Sequence, residues 1–207
     1  MSAPASGRPL RADALRNRAK VLAAAEAVFA ARGTSASTEE VAREAGVGIG
    51  TVFRHFPTKE SLLEAALVAL LERLAGEARD LLGAADPGAA LFGFLARVVA
   101  QAKAKQAITE ALAEAGVDAR EAARQSGGGP GLKEALGALV ERAQKAGAVR
   151  TDIGPADVMA LLAGLSYAAG HAGAGEGVLA IAFDGLRAPD AGSAPPYPAA
   201  AGSVPRE

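Results

Sequence analysis

The fold is decided by residues 37–59, which read STEEVAREAGVGIGTVFRHFPTK. Ser37 and Glu40 match a capping box, in which a serine hydroxyl and a glutamate three residues later satisfy free amides at the start of a helix. Gly48 opens a second short helix, which must end before Pro57 because the residue preceding a proline is pushed out of helical geometry. Two short helices joined by a glycine-containing turn predict a helix-turn-helix, whose second helix enters the major groove of DNA.

A longer helix precedes this motif, because Leu15, Leu22 and Phe29 recur at the helical period. Apolar residues of the motif are expected to pack against that helix; these are Val41, Val47, Val52 and Phe56. The sequence therefore predicts a three-helix domain over residues 12–58, preceded by a flexible arm over residues 1–11.

The remainder of the chain also predicts helices. Their expected ranges are 59–82, 86–105, 108–115, 118–125, 132–146, 155–170 and 175–186. Residues 126–131, SGGGPG, predict a break between two of these helices. Prolines and small residues after position 187 predict a disordered tail over residues 188–207. No strand is expected, so the fold class is all-α, with a second helical domain over residues 59–187.

Composition excludes several classes of protein. The chain has 207 residues, of which 50% are apolar, and this excludes wholesale disorder. It has no cysteine and two histidines, which excludes disulfide frameworks, thiolate zinc sites and multi-histidine metal sites. No uncharged apolar stretch reaches about 18 residues and no apolar leader is visible, so neither a membrane span nor a signal peptide is expected. The expected location is the cytoplasm.

The charge is unevenly distributed along the chain. Residues 1–59 contain nine basic and five acidic side chains, a surplus of +4. The totals of 22 basic and 23 acidic residues leave 13 and 18 for the rest of the chain, a net charge of −5. A basic first third joined to an acidic body predicts a polyanion-binding module attached to a second functional unit.

The segments VAREAGV, GTVFRHF and KESLL resemble the DNA-binding domain of the TetR family of bacterial transcriptional repressors. The resemblance covers residues 12–67 and implies that the third helix, residues 49–55, is the recognition helix. It also implies a nucleoid-associated protein whose partner is double-stranded DNA. The predicted DNA-binding residues are Ser37, Thr38, Gly48, Ile49, Gly50, Thr51, Phe53, Arg54, His55 and Lys59.

Individual roles follow from the resemblance and from side-chain chemistry. The resemblance places Thr38, His55 and Lys59 on phosphates and Ile49 to Thr51 at base edges. Arg54 is able to make a bidentate contact to guanine. Phe53 stands where the family usually has tyrosine, so a hydroxyl that could donate to a phosphate is missing. Thr34 replaces a usual aromatic residue, which is expected to alter packing.

One recognition helix discriminates too weakly to define an operator. A bidentate contact contributes about 1–3 kcal/mol of discrimination, whereas specific sites need about 4–10 kcal/mol over nonspecific DNA. A homodimer reading a palindrome resolves this difference. The resemblance implies that the last two helices of each chain form the dimer interface. The predicted interface residues are Met159, Leu162, Ala163, Ser166, Gly170, Val178, Ile181 and Ala182.

The resemblance further implies a pocket in the body of the chain, between residues 60 and 150, for a small-molecule effector that releases the DNA. Its predicted lining residues are Phe92, Leu95, Val99, Gln101, Gln106, Thr109 and Leu136. Tyr167 and His171 share a helix face and could add a polar anchor, although a place in the interface or the core is the favoured interpretation.

Two other classes of function compete with a DNA-binding regulator. An enzyme is disfavoured because His171 is the only histidine outside the motif and no phosphate loop, dinucleotide fingerprint or metalloprotease motif is present. A protein-binding adaptor of the same fold remains open because Ile49, Gly50 and Phe53 are apolar. A TetR-like activator is also open, since operator position decides the sign of regulation. No cofactor and no metal are expected.

Overall fold

The computed structural model describes residues 8–171 and 176–189. Within these ranges the fold is all-α, as predicted, and the only extended pairing is an isolated bridge between Val149 and Arg187. The helices are α1 Arg8–Arg32, α2 Thr38–Glu44, α3 Ile49–His55, α4 Lys59–Asp80, α5 Pro87–Ala100, α6 Ala102–Glu114, α7 Ala119–Gln125, α8 Gly128–Lys145, α9 Pro155–His171 and α10 Glu176–Leu186. None of the described helices is both long and apolar enough to cross a bilayer.

Helix α1 begins at Arg8, so residues 8–11 of the predicted arm belong to a helix. Pro9 does not interrupt it, because a proline in the first turn removes an amide that would have no intrahelical partner. The alanine, leucine and arginine residues that follow are strong helix formers. The rest of the predicted arm, residues 1–7, and all but the first two residues of the predicted tail lie outside the described residues.

Helix α8 starts four residues earlier than predicted, inside the glycine-rich break. Gly127 has φ +78°, a conformation that favours glycine, and it directly precedes the helix. Pro130 falls in the first turn, where its missing amide costs nothing. A Cβ at position 128 would lie 3.3 Å from the Cβ of Leu71, so the glycine permits close packing against α4.

The predicted helix over residues 86–105 is two helices. The first of them, α5, ends before Gln101, which has φ −84° and ψ −1°, and the second, α6, continues through residues 102–114. The predicted helix over 108–115 is therefore the second part of α6.

The described chain contains two apolar cores, and α4 contributes to both of them. The first core joins α1, α2, α3, α4 and α6, and the second joins α4, α5, α8, α9 and the end of α10. On α4, Leu63 and Leu67 belong to the first core, whereas Leu70 and Leu74 belong to the second. The first core thus crosses the predicted domain boundary at residue 58, and α4 connects the helix-turn-helix to the body.

A half-buried ion pair also ties α1 to α4. Glu26 is 8% exposed, and its carboxylate accepts two hydrogen bonds from Arg73, at 2.8 Å from Nη2 and 3.3 Å from Nη1. Because a bidentate guanidinium–carboxylate contact is geometrically specific, the pair holds the register of α1 on α4.

Candidate nucleic-acid interface

Helix α2 is positioned by the capping box that the sequence predicts. The Oγ of Ser37 accepts a hydrogen bond from the amide of Glu40 at 3.2 Å, and the Glu40 carboxylate accepts one from the amide of Ser37 at 3.0 Å. That amide is the main reason why the pKa of Glu40 is lowered, and Arg32 and Arg43 lower it further. The reciprocal bonds fix the angle at which α2 leaves the preceding turn.

Helix α3 is anchored on one side and exposed on the other. Val52 and Phe56 are buried in the first core. Ile49 is 37% exposed, Phe53 is 43% exposed, and Arg54 also faces solvent. Two buried anchors at helical spacing therefore hold an outward row of side chains in place, which is the arrangement that a recognition helix requires.

The remaining predicted DNA-binding residues surround this row. Gly48 is the exposed N-cap of α3, and Gly50 is exposed in its first turn. Thr51 and His55 are half-buried, and the His55 ring lies 6.2 Å from that of Phe56. Thr38, at the start of α2, is buried.

The side chain of Lys59 makes two contacts within its own chain. Its amino group donates a hydrogen bond to the carbonyl of Thr34 at 3.3 Å and lies 5.5 Å from the centre of the Phe29 ring. Thr34 thus takes part in positioning Lys59 through its backbone. Sequence patterns do not reveal this contact, because 25 residues separate the two partners.

A further cation that the sequence did not single out lies beside α3. The Arg18 guanidinium, on α1, is 5.3 Å from the centre of the Phe56 ring. Phe56 directly follows the last residue of α3. The middle of α1 is therefore next to the carboxyl end of the recognition helix.

Comparisons with known proteins agree with this geometry. Residues 21–66 match a family model described as "Bacterial regulatory proteins, tetR family". Residues 86–188 match a second one, "Transcriptional regulator SbtR-like, C-terminal domain". The chain belongs to the TetR family.

Two solved structures share substantial sequence with this chain. A TetR transcription regulatory protein from Mycobacterium vanbaalenii is 43% identical, with a TM-score of 0.73; the match covers 86% of this chain and 99% of that one. A TetR transcriptional regulator from Streptomyces coelicolor is 38% identical, with a TM-score of 0.71; coverage is 84% and 99%. None of the curated proteins matches the chain. The protein is thus a DNA-binding transcriptional regulator with a helix-turn-helix.

The predicted effector-pocket residues are not brought together as one cavity in this TetR-family chain. Leu95, Val99 and Leu136 are packed in the second core. Phe92 lies instead at a surface groove of about 520 Å³ near the start of α5, where the Arg187 guanidinium is 4.8 Å from its ring centre. Helical periodicity indicates that these residues face inward, but it does not indicate which residues they contact.

Thr109 and Gln106, two of the predicted polar anchors, form hydrogen bonds within the chain. Thr109 donates a hydrogen bond from its hydroxyl to the carbonyl of Gln106 at 2.8 Å. The side-chain amide of Gln106 lies 2.7 Å from the Glu110 carboxylate and 2.7 Å from Nε2 of His171. Gln101 is half-buried at the junction of α5 and α6. Gln106 thus joins α6 to α9 through His171, whereas the bond of Thr109 stays within α6.

The predicted dimer interface divides into residues that are exposed and residues that are not. Leu162 is buried in the second core, and Met159 and Ala182 pack against that core. Leu162 therefore faces inward, because the apolar residues of α9 cover α5 and α8. Met159 and Ala182 are only half-buried, and their place in a dimer interface stays a prediction.

The other predicted interface residues remain accessible to differing extents. Ser166 and Gly170 are half-buried, and a Cβ on Gly170 would lie 1.8 Å from Oε1 of Gln106. Ala163 and Val178 are exposed, and Ile181 is 76% exposed. The absence of a side chain at Gly170 thus leaves room for the side chain of Gln106 in the same chain.

Tyr167 also belongs to the exposed apolar surface of α9 and α10. It is 66% exposed, and its ring stacks on His171 with 4.0 Å between the centroids.

No group of three or more histidine, cysteine or acidic side chains is positioned to hold a metal ion in the part of the chain that the structure describes.

Arg54→Ala is expected to relax base discrimination at one or two positions of each half-site, by about 1–3 kcal/mol, because it removes the bidentate donor of α3. Selection of sites from random duplexes with the variant would measure this change. Arg43→Ala, which removes an exposed arginine of α2, is the control. An Arg54→Ala variant that selects the wild-type sequence contradicts the assignment.

Lys59→Ala is expected to weaken binding to specific and random duplexes alike and to reduce the salt slope by about one, as expected when a phosphate-binding cation is removed. The melting temperature should also fall, because the variant cannot form the bond to Thr34. Titrations at several salt concentrations measure the first effect, and Lys59→Arg should restore it. A changed sequence preference would assign Lys59 to the bases instead.

Proposed function

We propose that this chain is a homodimeric repressor that binds a palindromic operator on the nucleoid DNA of the cytoplasm and is released by a small molecule. The outward row on α3 carries the proposal. Ile49, Phe53 and Arg54 face solvent while Val52 and Phe56 are buried. A helix held in this way can place three side chains on base edges in a major groove.

The exposed surface of α9 and α10 supports the dimer. Tyr167, Val178 and Ile181 are large apolar side chains that face solvent in the single chain. Small exposed residues lie on the same surface helix α9, among them Ala163 and Gly164, which permit close approach of a second helix pair. Pairing this surface with its own copy would bury apolar area and set two recognition helices on a two-fold axis.

Effector release is supported by the position of α4. Its first residue, Lys59, lies beside the helix-turn-helix, and its later leucines belong to the second core. A molecule that inserts into the second core would have to displace α4 or its neighbours. It would release DNA to the extent that it binds the DNA-incompetent arrangement more tightly, and DNA would weaken its binding by the same factor.

Selection of binding sites from random duplex DNA tests the proposal. An enriched inverted repeat is the expected result, and a reporter that carries this repeat over a promoter distinguishes repression from activation. No enrichment by folded protein, both as purified and after refolding to strip a bound effector, would contradict the proposal. It would favour the adaptor, whose apolar contacts lack the steep salt dependence of phosphate contacts.

A further inference from the structure

The surplus positive charge of the DNA-binding part is confined to one short segment. In residues 21–59 the basic side chains are Arg32, Arg43, Arg54 and Lys59, and the acidic ones are Glu26, Glu39, Glu40 and Glu44. These charges cancel. In residues 8–20 the basic side chains are Arg8, Arg11, Arg16, Arg18 and Lys20, against Asp13. The whole surplus of +4 therefore lies in the first half of α1.

The side chains of residues 13–20, in this half of α1, are largely uncovered by the rest of the described chain. Of residues 13–20 all but the half-buried Asn17 are exposed, and Leu15 is 69% exposed. The buried part of the helix begins at Val21. The side chains of residues 13–20 thus contribute little to the first core, and we call the helical segment over residues 8–20 the projection.

The projection lies next to the recognition helix and shares its register with the buried part of α1. Positions 8, 11, 15 and 18 continue the 3–4 spacing of Leu22, Ala25 and Phe29, which are all in the first core. Arg18 is in contact with Phe56, at the carboxyl end of α3. The stripe of α1 that meets the recognition helix therefore continues past the end of that helix.

The length of the projection suits contact with flanking DNA. From Arg18 back to Arg8 the helix rises about 15 Å, at 1.5 Å per residue. This distance corresponds to about four base pairs, at 3.4 Å per pair. A recognition helix seated in a groove would place the projection along the phosphates on one side of the bases that it reads.

We propose that residues 8–20 of α1 form a second DNA contact, which binds the phosphates that flank each half-site. The inference rests on the proposed DNA-binding function. Charge complementarity favours DNA as the occupant, because an excess of four positive charges faces a polyanion and the adjoining residues 21–59 are neutral. A membrane surface is disfavoured, because Leu15 is the one large apolar side chain exposed in residues 13–20.

The test compares two variants of the full chain that each remove two positive charges. Arg8→Gln/Arg11→Gln alters the projection and leaves the Arg18–Phe56 contact in place. Lys103→Gln/Lys133→Gln alters exposed residues of the body and is the matched control. Binding to the selected operator and to a random duplex is titrated over a range of salt, and the operator complex is footprinted with hydroxyl radicals.

The projection variant is expected to reduce the salt slope by about 1.8 per chain, or about 0.9 for each phosphate that is no longer neutralised. If the two proteins bind equally at 1 M salt, this difference in slope makes the variant bind up to about 60-fold more weakly than the wild type at 0.1 M salt, for each chain bound. Its footprint should shorten at both outer edges, with the selected sequence unchanged. The control should keep the wild-type slope and footprint.

An unchanged slope and footprint in the projection variant would overturn this inference while leaving the proposed function intact. Loss of binding to phosphatidylserine vesicles without a change in DNA binding would assign the projection to a membrane and also overturn it. A wild-type protein that enriches no sequence and binds no duplex would instead overturn the proposed function, and the inference with it.

Discussion

Ile181→Glu is expected to convert the protein from a dimer to a monomer and to lower operator affinity by about 100-fold or more. Ile181 is 76% exposed on α10, so the change should leave the single chain stable. In the proposed dimer it would bury two carboxylates among apolar side chains, at a cost of several kcal/mol. A monomer contacts one half-site instead of two. It therefore loses a large part of the free energy, about 4–10 kcal/mol, that separates specific from nonspecific binding. Each 1.4 kcal/mol lost corresponds to about a tenfold loss of affinity.

Sedimentation velocity and operator titration measure these two effects. The matched control is Ala89→Glu, which adds the same charge at an exposed site in the first turn of α5, where a carboxylate is favourable. The control should remain dimeric and bind the operator as the wild type does. If Ile181→Glu is still a dimer, the interface lies elsewhere on the molecule.

Phe29→Ala is expected to lower the free energy of unfolding by about 3–5 kcal/mol, because Phe29 is fully buried in the first core and its loss leaves a cavity. For a chain of this size the melting temperature should fall by about 6–20 °C. DNA affinity should fall as well. The Phe29 ring supports the amino group of Lys59, and the same core holds α3 through Val52 and Phe56.

Phe94→Ala is the matched control, since it removes the same atoms from the second core. Its cost in stability should be similar, but DNA affinity per folded molecule should change less. Thermal unfolding followed by circular dichroism and titration below the transition provide both quantities. Equal losses of DNA affinity in the two variants would show that the first core has no greater part than the second in holding α3. A fall in the free energy of unfolding below about 1 kcal/mol for Phe29→Ala would contradict its role in the core.

The local structure of the DNA-binding part could be predicted from the sequence because it depends on short-range interactions. The Ser37–Glu40 capping box joins groups three residues apart, and Pro57 acts on the residue before it. The stripe that buries Val52 and exposes Phe53 follows from the helical period. Each of these features is determined within one or two turns of chain.

The helix ends were predicted less well, because glycine and proline occur both in loops and in the first turn of a helix. Glycine and proline at residues 126–131 predict a break, yet those after Gly127 start α8. Gly128 lies close to α4 there, since a Cβ at position 128 would be 3.3 Å from the Cβ of Leu71. The start of α1 at Arg8 also differs from the prediction, since Pro9 is compatible with a first helical turn as well as with a flexible arm.

The helical class, the helix-turn-helix, its caps and the side chains that α3 presents follow from the amino-acid sequence, because local hydrogen bonds and helical periodicity fix them. The packing of the helices was needed to show which helices share a core, that Leu162 faces inward, and that Lys59 bonds to Thr34. It also placed Arg18 on Phe56. Periodicity defines which face of a helix is apolar but not which helix covers that face, since this depends on packing between residues that are distant in the chain.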